Sequence, residues 1–599
     1  MTVEDTARSN WAQLMGAGGA QDREPGETVE AGLDAPAGLT AVAGRGHITL
    51  DWPPVDRAIG YAVHRADSPD GPFTVVDHGG GDVLAVPHGP YADTTVEAGR
   101  TYWYAVAALE TVTAIGPLSR PVRVEASGGD AQVTVTVDAL GDDGPLHHVW
   151  RPMVGAEHLS HALSTDRTGG REIGADVREA LRRVHDELGV ESVRAHAILG
   201  DDLGVYREVD GEPVHDFSGI DRVFTTVLAL GLTPVVELGF MPRDLARDPE
   251  RTVFAYRGII SPPKDWDRWA ALIRALTTHL LERYDCHDWA FEVWNEPNLS
   301  VFWSGTPAEY WQLYEVTARA IKDVDPRIRV GGPATAAVGW IDDQVRADAP
   351  VDFLSTHVYG TVPLDLRPLA GGRPLLWTEW GVTATHGNPI NDTVFAATFL
   401  LRGMRSAAGR VDALAPWVAS DHFEELGRPQ RLLHGGFGLL SVGNLAKPKF
   451  WALSLAQRLG DTQLPVTATG DGADSLVETW AARRDDGTVG VLVWNGTLDH
   501  SKVGGDSGLD RQVTLQVAGL AGPATLRQWR VDADHGDLRS RWQQIGGDAD
   551  WPDDEQWRAL AAADRLDEAS PPQTLQPGQE ISLALPNPGI VLLELQPQG

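Results

Sequence analysis

Read only as hydrophobic and polar positions, the chain changes texture along its length. Between residues 36 and 128, runs such as LTAVAGRGHITLDW, GYAVHRADSP and TYWYAVAALETV alternate apolar with polar residues and are parted by Gly and Pro. That pattern predicts short, half-buried antiparallel strands in a small β-sandwich. From 145 to 460 the period switches. Short apolar runs at 150–155, 192–198, 232–240, 289–296, 328–333, 351–359, 373–380 and 414–420 alternate with longer stretches of helical period. In ADVREALRRVHDEL, for example, Val177, Leu181, Val184 and Leu188 fall on one face. Strand–helix units repeated eight times predict a central (β/α)8 TIM barrel. A doubly wound sheet is the alternative, but no Gly-rich phosphate turn follows the first strand. Residues 461–599 return to alternation, with Asp-Gly in the turn of DSLVETWAARRDDGTVGVLVWNG. They predict a C-terminal accessory β-sandwich with a helical insertion at WPDDEQWRALAAADRL. Residues 1–35 are acidic, Gly-rich and poor in large apolar groups, which predicts disorder.

Composition narrows the function classes. Hydrophobic residues make up 42% and charged residues 22% of 599, a soluble globular profile. The net charge of −34 argues against nucleic acid and anionic membranes as partners, since both need a basic face. No apolar run approaches the ~20 residues that span a bilayer. The sole cysteine, Cys286, rules out an intrachain disulfide. The first residues lack a basic stretch followed by an apolar one, so a cytoplasmic protein is expected.

Barrel chemistry sits at the C-terminal ends of the strands. The polar residues there are His196, Glu237, Asn295, Glu296, His357, Tyr359 and Glu379, followed by Trp417, Ser420, Asp421 and Glu424 after the eighth strand. Two glutamates at the ends of the fourth and seventh strands suit glycoside hydrolysis, which needs a proton donor and an anion on opposite sides of the sugar. Environment must separate their pKa values. Trp294, Trp377, Trp380 and Trp417 are candidates for apolar sugar-stacking walls. A lone Asn-Glu-Pro occurs in loops by chance; the paired placement is what makes Glu296 specific. There is no His-Glu-x-x-His metal motif and no Gly-x-Ser-x-Gly nucleophile turn, so neither metal nor cofactor is expected.

Two resemblances follow from particular motifs. LDW, YAVHR and YWYAVAA, with Trp52, Tyr61, Tyr102 and Tyr104, resemble a fibronectin type III module. VRAHAILGDDLGVYRE, FEVWNEPNLSVFW, VDFLSTHVYG, WVASDHFEELG, LHGGFGLL and KPKFWAL resemble glycoside hydrolase family 39, in particular its bacterial β-D-xylosidases. The resemblance runs from about 147 to the C-terminus. It implies Glu296 as general acid/base, Glu379 as nucleophile and retention through a covalent glycosyl-enzyme. It further implies that His196, Asn295, His357, Tyr359, Trp417, Glu424 and Glu425 bind the sugar. The expected activity is exo-hydrolysis of β-linked xylose from small xylo-oligosaccharides. An arabinofuranosidase or an α-L-iduronidase is the alternative within the family, and a non-catalytic sugar-binding protein the alternative outside it; a homo-oligomer stays open. Two departures stand out: Trp380 follows Glu379 in WTEWG, and only 19 residues lie between Tyr359 and Glu379, a short connection.

Overall fold

A computed structural model describes residues 32–598. The disorder expected for 1–35 therefore falls largely outside the described residues. Its last positions are held: Gly32 donates its N–H to Glu110, and Leu33 is buried in the module's core.

At the centre lie eight parallel strands in chain order: β1 (Val154–His158), β2 (Ser192–His196), β3 (Thr233–Glu237), β4 (Ala290–Glu292), β5 (Arg329–Thr335), β6 (Phe353–Tyr359), β7 (Leu375–Gly381) and β8 (Ala413–Pro416). Backbone bonds from Leu414 N–H to Val149 O and from Ala419 N–H to Gly155 O join the last strand to the first, giving a nearly closed barrel. Between strands, amphipathic helices such as Ile173–Leu188, Trp266–Tyr284 and Pro307–Val324 turn their apolar faces inward. Asp265 caps the second of these, and Thr306 with Glu309 forms a capping box on the third. The sixth helix is one turn, Arg367–Ala370, which accounts for the short connection after Tyr359.

The N-terminal module consists of a three-stranded and a five-stranded antiparallel sheet around Leu50, Trp52, Tyr61, Tyr104 and Val106. The C-terminal region also forms two sheets, of six and four strands, over a core that includes Val133, Val491, Leu515 and Leu593. One strand of the smaller sheet comes from before the barrel: Gln132–Asp138 pairs in parallel with Arg511–Ala518. The predicted Asp-Gly hairpin is present, with Val477–Arg483 antiparallel to Val489–Asn495. Helices Leu538–Gln544 and Asp554–Ala562 interrupt the larger sheet's connections. No helix among the described residues is long and apolar enough to cross a membrane.

Strand limits differ from expectation where the barrel opens. The fourth ladder ends at Glu292, and Glu296 lies beyond it in an irregular turn. Trp294 and Glu296 both adopt left-handed backbone, with φ of 70° and 42°, a conformation held by the surrounding structure. The peptide before Pro297 no longer belongs to a strand, but Glu296 N–H still reaches Ala334 O at 2.9 Å and ties the turn to β5.

Candidate active site

The site is built around one guanidinium. Arg194, in the middle of β2, is fully buried. It donates to Glu292 at 2.6 Å, Glu379 at 2.5 Å and Asn295 Oδ1 at 2.8 Å, and lies 2.9 Å from Glu237. Three carboxyl groups around one fixed positive charge cannot all ionise cheaply away from water. Burial pushes Glu237 up to about 8, even though Arg194 pulls the other way. Its neighbour His196 sits at Glu237 through Nδ1 (2.9 Å) and is held down to about 3 by burial. That ring is therefore neutral at ordinary pH, with Nε2 3.7 Å from Glu379.

Glu379 and Glu296 meet across the mouth. Carboxylate oxygens of the two and a ring nitrogen of His357 lie within 4.8 Å of one another, all buried. Their surroundings differ. Glu379 receives Arg194 on one oxygen and the Tyr359 hydroxyl (2.7 Å) on the other. Among the described residues no Lys or Arg touches Glu296; its partner is His357 Nδ1 at 2.9 Å. Burial first, then the charge of Glu379, raises the Glu296 pKa well above the usual carboxyl value. Burial also raises Glu379, but Arg194 and the Tyr359 hydroxyl oppose it. The pair thus shares a proton that resides on Glu296.

Hydrogen-bond direction points the same way. The Thr378 hydroxyl donates its one proton to Glu292 Oε1 (2.9 Å), so it can only accept from His357 Nε2–H (3.0 Å). Burial holds the His357 pKa well below its normal value, so the ring is neutral. Nδ1 then carries the lone pair, and Glu296 must supply the proton between them.

A β-bulge makes this possible. His357 pairs with Glu379 while Thr356 pairs with Trp377, leaving Thr378 as the extra residue. Strict alternation would send Thr378 and Glu379 to opposite faces; the bulge lets both reach the site.

Of the predicted residues, His196, Asn295, His357 and Tyr359 contact this network directly. Trp417 lies over Arg194 and 5.0 Å from the His196 ring, in a cluster with Tyr359, Phe423 and Phe437. The charge of Glu425 acts on Glu296 and Tyr359. Glu424 stands further out, bonded to Arg428 and 3.5 Å from His161. Three expectations need correction. Trp294, Trp377 and Trp380 are not sugar walls: each is sealed in the core, with Trp294 bonded to Phe302 O and Trp380 to Thr361 O. Asp421 is a buried counter-ion of Lys447 at 2.6 Å. Ser420 holds the turn after β8 by accepting from His422 N–H.

Arg194, Glu292 and Thr378 were missed. Their signal was charge and polarity inside apolar runs, with Arg194 two residues before His196 and so on the same face. A second group of possible ligands, Glu157, His158 and His161, lies within 4.8 Å at the end of β1.

With this geometry in hand, the comparisons are decisive. The model of glycosyl hydrolases family 39 matches residues 133–366 and 366–579. The chain belongs to that family. It is therefore a glycoside hydrolase, and the matched segments cover the barrel and most of the C-terminal sheets. A β-xylosidase of Geobacillus stearothermophilus is 34% identical over 441 residues, which cover 66% of this chain and 82% of the relative. One from Caldicellulosiruptor saccharolyticus is 35% identical over 360 residues, 54% of this chain and 71% of the relative. The crystal structure of a monomeric β-xylosidase from Caulobacter crescentus CB15 superposes with a TM-score of 0.67 at 28% identity, covering 78% of this chain and all of that one (100%). The family match begins at residue 133, so the N-terminal module lies outside it.

Proposed function

We propose that the protein is a retaining β-D-xylosidase that removes terminal xylose from small xylo-oligosaccharides. Glu379 attacks the anomeric carbon as Glu296 gives its proton to the departing oxygen, forming a glycosyl–Glu379 ester. Glu296, now ionised, takes a proton from water, and the hydroxide attacks the same carbon, freeing xylose and restoring both carboxyl groups. The observation that carries this reading is the close approach of the two carboxyl groups, an oxygen of one within 4.8 Å of an oxygen of the other, in unequal surroundings. Retaining enzymes hold them about 5–5.5 Å apart, whereas inverting ones need about 6.5–9.5 Å to admit water. The names of the relatives support xylose. So does Arg194, for which a uronate carboxylate would have to compete with Glu292, Glu379, Glu237 and Asn295. The three-plus-five sheet arrangement of the module supports its fibronectin type III likeness.

The test is a screen of aryl glycosides that differ only in the sugar, with the product anomer followed by proton NMR. β-Xyloside is expected to be the best substrate, yielding β-xylose first. A clear preference for α-L-arabinofuranoside, or α-xylose as first product, refutes the reading. Glu379→Ala is expected to lose more than about 10³-fold in kcat and to regain turnover with azide, which fills the vacated space and attacks the anomeric carbon.

A further inference from the structure

A segment from outside the barrel reaches the mouth. Residues 77–86 of the N-terminal module run over the end of β6. Asp82 N–H donates to Tyr359 O, and Tyr359 N–H donates to Asp82 Oδ2, both at 3.0 Å. Thr361 Oγ1 donates to Ala85 O at 2.8 Å. Gly360, with φ of 69°, approaches Gly80 so closely that a Cβ would stand 1.7 Å from the Gly80 carbonyl oxygen. Only glycine permits that contact.

The segment is braced from behind. His78 accepts from His500 N–H through its carbonyl (2.9 Å) and meets the Tyr91 hydroxyl at 2.6 Å. Thr94 bonds Thr497 and Asp499 of the C-terminal region. The one-turn sixth helix leaves room for the module: Asp365 N–H donates to Ile59 O, and Leu364 lies against Gly60.

We propose that Asp82 is a substrate-binding residue on the leaving-group side of the pocket, where it accepts hydrogen bonds from hydroxyls of the departing sugar, so that the N-terminal module completes the active site. This rests on the glycosidase reading above. The Asp82 carboxylate is anchored through Oδ2 alone; Oδ1 has no partner among the described residues. Its backbone partner, Tyr359, carries the hydroxyl that binds the nucleophile. Its charge acts on Glu296, the group that must face the departing oxygen. Asp82 is exposed beside Tyr359, and the protein packed around it pushes its pKa up to about 7. A carboxylate so placed pairs well with neighbouring sugar hydroxyls, which donate to it as charge-assisted bonds.

The experiment compares wild type, Asp82→Asn and Asp82→Ala, each as the full chain, on xylobiose and on an aryl β-xyloside whose leaving group has no sugar hydroxyls. Asn keeps an acceptor for Tyr359 N–H, so the segment stays anchored. For Asp82→Asn, kcat/KM is expected to fall about tenfold on xylobiose and no more than about twofold on the aryl xyloside, the loss of one charged hydrogen bond to the leaving sugar. The basic limb of the pH profile provides a second readout. Glu296 is faced by Glu379, Asp82 and Glu425, which favour its proton, by Arg194, which opposes it, and by neutral His357. Removing one negative charge lowers the Glu296 pKa, so the basic limb moves to lower pH. Equal losses on both substrates with an unmoved basic limb overturn the proposal and leave Asp82 an anchor of the module. Unchanged xylobiose turnover overturns it too. If wild type prefers another aryl glycoside, the xylose reading fails, and the same comparison with that sugar's disaccharide still decides Asp82.

Discussion

Thr378→Val tests the proton placement at its source. Valine keeps the shape of threonine but removes the hydroxyl that separates His357 Nε2 from Glu292 Oε1. In the native network that hydroxyl forces the His357 proton onto Nε2 and leaves Nδ1 to accept from Glu296. Without it, the imidazole is free to carry its proton on Nδ1 and donate to Glu296 over the same 2.9 Å contact. A donor facing Glu296 favours the carboxylate. Reversing one such bond is worth about 1–1.5 kcal/mol, or about one pKa unit. Glu296 must be protonated to act as acid, so activity is lost as pH rises through its pKa. Lowering that pKa by about one unit moves the basic limb of kcat/KM down by about one pH unit. The assay is the pH profile on a xyloside with a poor leaving group, where protonation limits the rate. A basic limb that stays put or moves upward refutes the reasoning. The same change leaves Glu292 Oε1 unsatisfied, at a stability cost of about 1–3 kcal/mol, measurable as a lower denaturant midpoint.

Three further substitutions separate roles in and around the site. Glu296→Ala should cost about 10²–10⁴-fold on xylobiose and much less on an aryl xyloside with an activated leaving group; equal losses would remove the proton-donor role. Trp417→Ala should raise KM, because its ring lies beside His196 and over Arg194, and should also lower stability, because that ring is buried against Tyr359, Phe423 and Phe437. Trp294→Ala should destabilise the fold by about 3–5 kcal/mol, because the ring is fully buried and edge-packed on Phe240 and Trp303. Denaturant melts beside KM values check both, and a KM effect without destabilisation at Trp294 would reverse the assignment.

Asp421 and the tryptophans show where linear reasoning failed. A residue at a strand end is adjacent to the mouth, but its rotamer and the next layer decide whether it faces substrate or core. Trp294 and Trp380 flank Asn295 and Glu379 in sequence, and both turn away into the barrel wall. Asp421 follows β8, yet Lys447 from the chain 26 residues on captures it.

The barrel itself was legible because periodicity is local: eight apolar runs parted by helical stretches leave parallel pairing as the physical solution. The two glutamates were legible because barrel topology converts a position at the end of a run into a position at the mouth. Other features depend on contacts between distant residues and carry no local signal. The bulge that turns both Thr378 and Glu379 inward exists only in the register between β6 and β7. Arg194 reads as one charge in an apolar strand, and becomes the centre of the site only when β2, β3, β4 and β7 surround it. Asp82, 277 residues from Tyr359, enters the mouth only because the module docks over a shortened sixth helix. The sequence by itself determined the layered architecture and the candidate carboxyl pair, through period and position. Tertiary structure alone decided which carboxyl holds the proton and what closes the pocket, because both depend on charge and burial contributed by distant strands.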